Sequence, residues 1–173
     1  MLKFSRNKLV AMVKITVIGL IVTFSLLFIL IPQFTGYKWI FVSGESVNIK
    51  LGLISMGPPQ TLIPGEYVML SWKGVDHNGI EKLRQGLSLI KQIVCLPGQH
   101  LRVTVTRADC DGNHVGHIRN KTIDGKTITP ALFDGLIPPG QVFLMGEHYY
   151  SYDSRYFGLV PQEWIQGVIR FHI

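Results

Sequence analysis

The sequence has little of what metal and nucleic-acid sites require. It has two cysteines and six histidines among 173 residues. His114 and His117 lie near Cys110, but no second cysteine is placed to complete a zinc site. Four of the 17 Lys and Arg residues lie in positions 1–14, which leaves 13 against 11 Asp and Glu in the rest of the chain. That part has no basic stripe with interleaved aromatic residues, so nucleic acid is not an expected partner. No metal or organic cofactor is implied.

Charge is absent from residues 15–34, and acidic residues are absent before them. This uncharged run of 20 residues is about the length that a helix needs to cross the hydrocarbon core of a bilayer. A cleavable signal peptide is the alternative, but it would end at a small-x-small site, and the residues that follow the run contain none. The basic residues before the run are Lys3, Arg6, Lys8 and Lys14.

The distribution of charge also predicts the orientation of the chain. Because basic residues beside a membrane segment stay in the cytoplasm, the N-terminus is expected inside the cell. The sequence therefore predicts a single-pass protein of the inner (plasma) membrane. It would have a basic cytoplasmic tail over residues 1–14, a transmembrane anchor over 15–34 and a periplasmic domain over 35–173.

The exported part has many short apolar runs, frequent turns and little helical periodicity. The stretch Leu51–Pro64 is rich in Gly and Pro and is interpreted as a loop. The pattern as a whole predicts a mainly β domain built of antiparallel sheets. The clearest predicted strands are Tyr67–Trp72, Ser88–Leu96, Leu101–Thr106, Gln141–Met145 and Gln166–Ile173.

The two cysteines, Cys95 and Cys110, leave two alternatives open. An exported domain lies where disulfides persist, and the spacing of the two residues could close a hairpin. Alternatively, both are unpaired thiols, with Cys95 a core residue of its strand. The distance between them cannot be read from sequence.

One lysine has unusual neighbours. Lys91 is the only lysine of the chain that is flanked by an apolar strand, formed by Leu89, Ile90, Ile93 and Val94. Burial disfavours the charged ammonium, so a lysine held among apolar side chains tends to become neutral and can act as a base. With a serine hydroxyl, such a base would form a Ser–Lys dyad that cleaves peptide bonds. The alternative is a lysine that points from the strand to solvent.

A second motif, Gly146–Gly158 (GEHYYSYDSRYFG), follows downstream. With this motif and Ile90–Gly98 (IKQIVCLPG), the chain resembles the signal peptidase I clan of membrane-anchored serine proteases, and in particular its conjugative-transfer, TraF-type members. The order of parts is the same: a basic tail, one anchor, a serine soon after the membrane, the lysine strand and the second motif. The resemblance covers nearly the whole chain and implies a signal-peptidase-like antiparallel β-sheet domain beside the membrane.

The resemblance implies Ser46 as the nucleophile and Lys91 as the base. Ser55 is the alternative nucleophile, because Ser55–Pro58 (SMGP) matches the Ser-Met-x-Pro box of the general signal peptidases. Two departures from the family pattern surround Ser46. Asn48 stands where transfer-type members have a proline, and Gly44 stands where general members have a hydroxyl that stabilises the oxyanion, a role that is lost here or shifts to Ser43.

The resemblance also gives roles to residues of the second motif. The family residues that match Ser151, Asp153 and Arg155 support the lysine and brace the site. Asp153 and Arg155 can pair as a charge-assisted fork, and Ser151 can bond the lysine amine. The alternative is a surface turn with a salt bridge. The start of the motif, Gly146–His148, departs from the Gly-Asp-Asn of the family.

By resemblance, the chain is expected to be a serine endopeptidase that cleaves exported precursors. The precursor would be a pilin or another component of a conjugative transfer (type IV secretion) system, and the membrane would be the other partner. Two alternatives remain open: a pilin cyclase that uses the same dyad for acyl transfer, and a non-catalytic bitopic scaffold of a secretion assembly.

Overall fold

The computed structural model describes residues 6–76, 78–79 and 83–173, and it begins with one long helix, α1, at Arg6–Phe34. Within α1, the stretch Lys8–Pro32 is long and apolar enough to cross a membrane. Its side chains are exposed along almost the whole stretch, as in a helix with no protein core to pack against. Such an N-terminal helix is consistent with a membrane anchor. The predicted tail is helical from Arg6 onward, and its first five residues lie outside the described part.

The rest of the described chain forms two antiparallel β-sheets. The strands are β1 (Tyr37–Phe41), β2 (Leu51–Met56), β3 (Tyr67–Ser71), β4 (Ser88–Cys95), β5 (His100–Val103), β6 (Arg107–Cys110), β7 (Asn113–His117), β8 (Phe133–Leu136), β9 (Gln141–Met145), β10 (Val160–Pro161) and β11 (Ile165–His172). The larger sheet has the order β1-β2-β11-β3-β4-β9-β10, and the smaller has the order β7-β6-β5-β8. A short helix, α2 (Ser154–Phe157), and a 3-10 turn, Gln162–Trp164, precede β11. The prediction of a mainly β, antiparallel domain behind one apolar helix is confirmed.

Strand β4 lies in the middle of the larger sheet, between β3 and β9. Its buried side chains alternate along one face: Lys91, Ile93 and Cys95. Ile93 belongs to one apolar cluster, and Ile90, on the opposite face, packs against another. Both faces of β4 are therefore covered, which explains the continuous apolar run in its sequence. Lys91 points inward and is only 2% exposed, so the alternative of a solvent-facing lysine is wrong.

The interpretation of Leu51–Pro64 as a loop is wrong for its first part, which forms β2. This strand pairs with β1 on one side and with β11 on the other. Gly52, which suggested a loop, fits the strand because a Cβ there would lie 3.3 Å from Ile169 Cγ2 and 3.4 Å from Ile40 Cγ1. The glycine therefore allows close packing inside the sheet instead of marking a turn.

Cys95 and Cys110 form a disulfide that joins β4 of the larger sheet to β6 of the smaller one. Of the two alternatives left by the sequence, the bonded form is the one observed. Both residues are buried in a cluster with Leu101, Ile137 and Phe143, which fills the space between the sheets. The disulfide therefore ties the strand of Lys91 to the smaller sheet.

Reducing this disulfide is expected to lower the free energy of unfolding by about 3 kcal/mol. The bond spans a sequence separation of 15 residues, and opening such a loop returns entropy to the unfolded chain. Urea unfolding of the full chain in detergent, with and without reductant, measures the difference. The Cys95→Ala/Cys110→Ala variant serves as control, since reductant should not change its stability. Equal stability of reduced and oxidised wild type would contradict the expectation.

Candidate active site

Lys91 is held inside the domain by one hydroxyl. Its Nζ donates to Ser151 Oγ across 2.8 Å, and both side chains are buried. Burial lowers the pKa of Lys91 to about 8, an effect that the carboxylate of Asp153 opposes and the guanidinium of Arg155 reinforces. A substantial fraction of Lys91 is thus neutral slightly above neutral pH, as a general base requires.

Ser46 lies in the connection between β1 and β2 and lines the same cavity as Lys91. The cavity has a volume of about 270 Å³ and lies between this connection and β4. Ile40, Val42 and Met69 are among its apolar lining residues. The structure therefore brings Ser46 and Lys91 together at one mostly apolar cavity.

Ser55 lies elsewhere. It is in β2 and pairs with Tyr37 of β1 and Val168 of β11. Strands β11 and β3 separate β2 from β4. Three strand spacings correspond to about 14 Å, well beyond the reach of a hydrogen bond to Lys91. The structure does not bring Ser55 to the lysine.

Asp153 and Arg155 form a buried ion pair beside Lys91. Arg155 donates from Nε to Asp153 Oδ1 at 2.8 Å and from Nη2 to Oδ2 at 2.7 Å. Asp153 also accepts from the backbone N–H groups of Gly146, at 2.9 Å, and Arg155, at 3.2 Å, and so caps α2. Asp153 is fully buried and Arg155 is 4% exposed, so the alternative of a surface turn is wrong.

The segment Gly146–Ser151 connects this ion pair to both candidate catalytic residues. A Cβ on Gly146 would lie 2.1 Å from Ser151 Oγ and 2.6 Å from the carbonyl oxygen of Ser46, so only glycine fits there. The backbone N–H of His148 donates to that same Ser46 carbonyl at 3.2 Å. One short segment therefore positions the partner of Lys91 and the backbone of Ser46.

Arg119 also holds this segment, and sequence analysis missed it. Its guanidinium donates to the carbonyl oxygens of Tyr150, at 2.6 Å, and Ser151, at 3.3 Å. It also lies against the rings of Tyr150 and Tyr156, with its Cζ 5.2 and 4.9 Å from their centroids. Arg119 lies in a polar, glycine-containing stretch far from its partners in sequence, so no local signal identified it.

Comparison with known proteins finds one matching family model and several similar proteins. The family model described as "Signal peptidase, peptidase S26" matches residues 9–173. The conjugal transfer protein TraF of Agrobacterium fabrum (strain C58) is 38% identical over 96 residues, which cover 51% of this chain and 53% of that protein. The conjugal transfer protein TraF of Agrobacterium tumefaciens (strain 15955) is 31% identical over 122 residues, which cover 68% of this chain and 65% of that protein.

A third relative and a solved structure are also similar to this chain. A probable conjugal transfer protein TraF of Sinorhizobium fredii (strain NGR234) is 32% identical over 133 residues, which cover 75% of this chain and 67% of that protein. Among solved structures, a signal peptidase I from Enterococcus faecalis V583 is 20% identical with a TM-score of 0.39, and the match covers 63% of this chain and 97% of that one. The chain spans 53% and 65% of the length of the two Agrobacterium relatives.

Proposed function

Because the chain belongs to the signal peptidase family, peptidase S26, we propose that it is a membrane-anchored serine endopeptidase with Ser46 and Lys91 as its catalytic dyad. Its substrates are exported precursor proteins of a conjugative transfer system, a pilin precursor first among them. The peptidase family supports a precursor protein as substrate, and the conjugal transfer relatives support a transfer system as its source. With the basic residues of α1 on the cytoplasmic side, the domain that follows α1 acts in the periplasm.

In the proposed reaction, the neutral amine of Lys91 takes the proton of the Ser46 hydroxyl while Ser46 Oγ attacks the scissile carbonyl carbon. The resulting ammonium returns that proton to the leaving amine as the peptide bond breaks. Water then attacks the acyl-enzyme while Lys91 accepts its proton. The ester bond to Ser46 Oγ breaks, and Lys91 returns the proton to Oγ, which regenerates both residues. Ser43 lines the same cavity and is the hydroxyl closest in sequence to the family's oxyanion donor, which Gly44 lacks here.

One observation carries the proposal: Lys91 is buried, bonded to Ser151 and open to the cavity that Ser46 lines. A buried amine is costly to the fold, and a scaffold would gain nothing from it. The arrangement also suits the related acyl transfer, in which an amine of the substrate replaces water and the product is a cyclic pilin.

The test is cleavage of the pilin precursor in membranes from cells that carry the transfer system with this gene deleted. We expect wild type and Ser55→Ala to restore cleavage at equal abundance, and Ser46→Ala to leave the precursor intact. Cleavage by Ser46→Ala at the wild-type rate would overturn the proposal. Conjugation restored by Ser46→Ala without cleavage would favour the scaffold. A product lighter than the linear cleaved pilin by one water would identify acyl transfer.

A further inference from the structure

Glu147 contacts the nucleophile turn, here defined as residues 43–48, from the second motif. Its Oε2 accepts the backbone N–H of Asn48 at 2.6 Å. Its Oε1 accepts a hydrogen bond from the hydroxyl of Tyr67 in β3. Burial and the neighbouring Glu147 carboxylate raise the pKa of Tyr67 to about 12, so this hydroxyl stays protonated and able to donate near neutral pH. The carboxylate thus bridges the nucleophile turn and the strand that pairs with β4.

The nucleophile turn has no regular secondary structure of its own. Two hydrogen bonds from consecutive residues of the second motif hold it on either side of Val47. His148 donates its backbone N–H to the carbonyl of Ser46 at 3.2 Å, and Glu147 accepts from Asn48. A bond between a carboxylate and an N–H is charge-assisted and short, so the Glu147 bond is the stronger of the two restraints.

The same geometry accounts for two of the departures from the family pattern, at Asn48 and at Glu147. A proline at position 48 would have no N–H to donate, whereas Asn48 offers one. Glu147 stands at the second position of the motif, where its longer side chain reaches that N–H. The two departures therefore form one contact between the nucleophile turn and the motif.

We propose that Glu147 is a positioning residue that holds Ser46 in line with Lys91 through the backbone N–H of Asn48. This inference rests on the proposed dyad and adds to it a residue that acts on the backbone beside Ser46. The Glu147 carboxylate accepts from Asn48 and Tyr67, and Glu147 is not one of the residues that line the cavity of Ser46 and Lys91. Its removal should therefore alter the alignment of the hydroxyl and leave the apolar cavity intact.

The first test is the rate of pilin-precursor cleavage by the full chain purified in detergent. We expect Glu147→Ala to lower kcat by up to about a hundredfold with little change in KM, because a small displacement of the nucleophile is costly. Glu147→Gln should recover most of the rate, since its amide oxygen can accept from Asn48 and its NH₂ can donate to the Tyr67 oxygen. Asn48→Ala keeps the N–H, so it should lower kcat far less than Asn48→Pro, which removes it.

A double-mutant cycle separates this role from a general loss of structure. Asn48→Pro removes the N–H that Glu147 binds. Adding Glu147→Ala to Asn48→Pro should therefore lower kcat little further. Additive losses would overturn the inference. So would a Glu147→Ala variant that cleaves as wild type does while Ser46→Ala remains inactive, an outcome that leaves the proposed function standing.

Amide hydrogen exchange tests the contact without any substrate. In a peptide that covers the nucleophile turn, we expect the protection factor against exchange to fall at least about tenfold in Glu147→Ala and to stay unchanged in Glu147→Gln. Unchanged protection in Glu147→Ala would overturn the inference. If wild type fails to cleave the pilin precursor, the proposed function fails for that substrate, and exchange still decides whether Glu147 holds the turn.

Discussion

Replacing Lys91 with methionine is expected to abolish precursor cleavage while leaving the fold at least as stable as wild type. Methionine matches the length of the buried lysine stem but has no amine to take the Ser46 proton. Removal of such a base should lower kcat/KM by at least about a thousandfold. Cleavage of the pilin precursor by the purified full chain measures the loss.

The same variant should lose activity but gain stability relative to wild type. Burial lowers the pKa of Lys91 to about 8 from the ordinary 10.5, so below pH 8 the folded state bears a cost of about 3 kcal/mol for the charged amine. Methionine removes this cost but leaves the Ser151 hydroxyl without its partner, which costs about 1–3 kcal/mol. We therefore expect Lys91→Met to be more stable at pH 7 by between zero and about 2 kcal/mol.

Both the stability difference between wild type and Lys91→Met and the activity of wild type should change with pH. Between pH 8 and 10.5 the unfolded chain binds a proton at Lys91 that the folded chain has lost, so wild type gains stability and the advantage of Lys91→Met shrinks. Wild-type kcat/KM should rise about tenfold for each pH unit below 8 and level off above it, because the neutral amine is the active form. Lys126→Met, at a lysine whose side chain is 71% exposed, is the matched control and should change neither activity nor stability. A stable Lys91→Met variant that still cleaves would refute the dyad.

The local pattern predicted several of the strands, but not what depends on long-range contacts. Strand β9 was predicted with its observed bounds, Gln141–Met145. The orientation of Lys91 could not be predicted, because apolar residues occupy both faces of β4. Strand β2 was missed because Gly52 is a loop signal in isolation, and only its packing against Ile169 and Ile40 shows why it fits a strand.

The sequence named the candidate site through family motifs, and the structure adds the contacts between those motifs. Lys91 was named from its apolar neighbours, whereas Ser46, Ser151, Asp153 and Arg155 were named from the resemblance. Their catalytic and supporting roles stay predictions. Glu147 and Arg119 were not named as site residues. Glu147 acts on a backbone N–H, and Arg119 acts on backbone carbonyls, so their partners leave no side-chain pattern that a sequence could reveal.

Replacing Asp153 with alanine is expected to destabilise the domain by about 3–5 kcal/mol and to reduce cleavage with it. The change leaves the guanidinium of Arg155 buried without its counter-charge, the costly way to break a buried ion pair. It also releases the N–H of Gly146 and the cap of α2. Urea unfolding measures the loss. Asp134→Ala, at an ion-paired aspartate that is 60% exposed, is the matched control and should cost less than about 1 kcal/mol.

The pH profile of Asp153→Ala separates an electrostatic role for this carboxylate from a purely structural one. In wild type, Asp153 raises the pKa of Lys91 and Arg155 lowers it. Without Asp153 the unbalanced guanidinium should move the midpoint of the residual activity to a pH below 8. Asp153→Ala/Arg155→Met removes both charges, so it should return the midpoint towards that of wild type and regain part of the lost stability. An unchanged midpoint in Asp153→Ala would mean that the ion pair stabilises the structure of the motif without changing the pKa of Lys91.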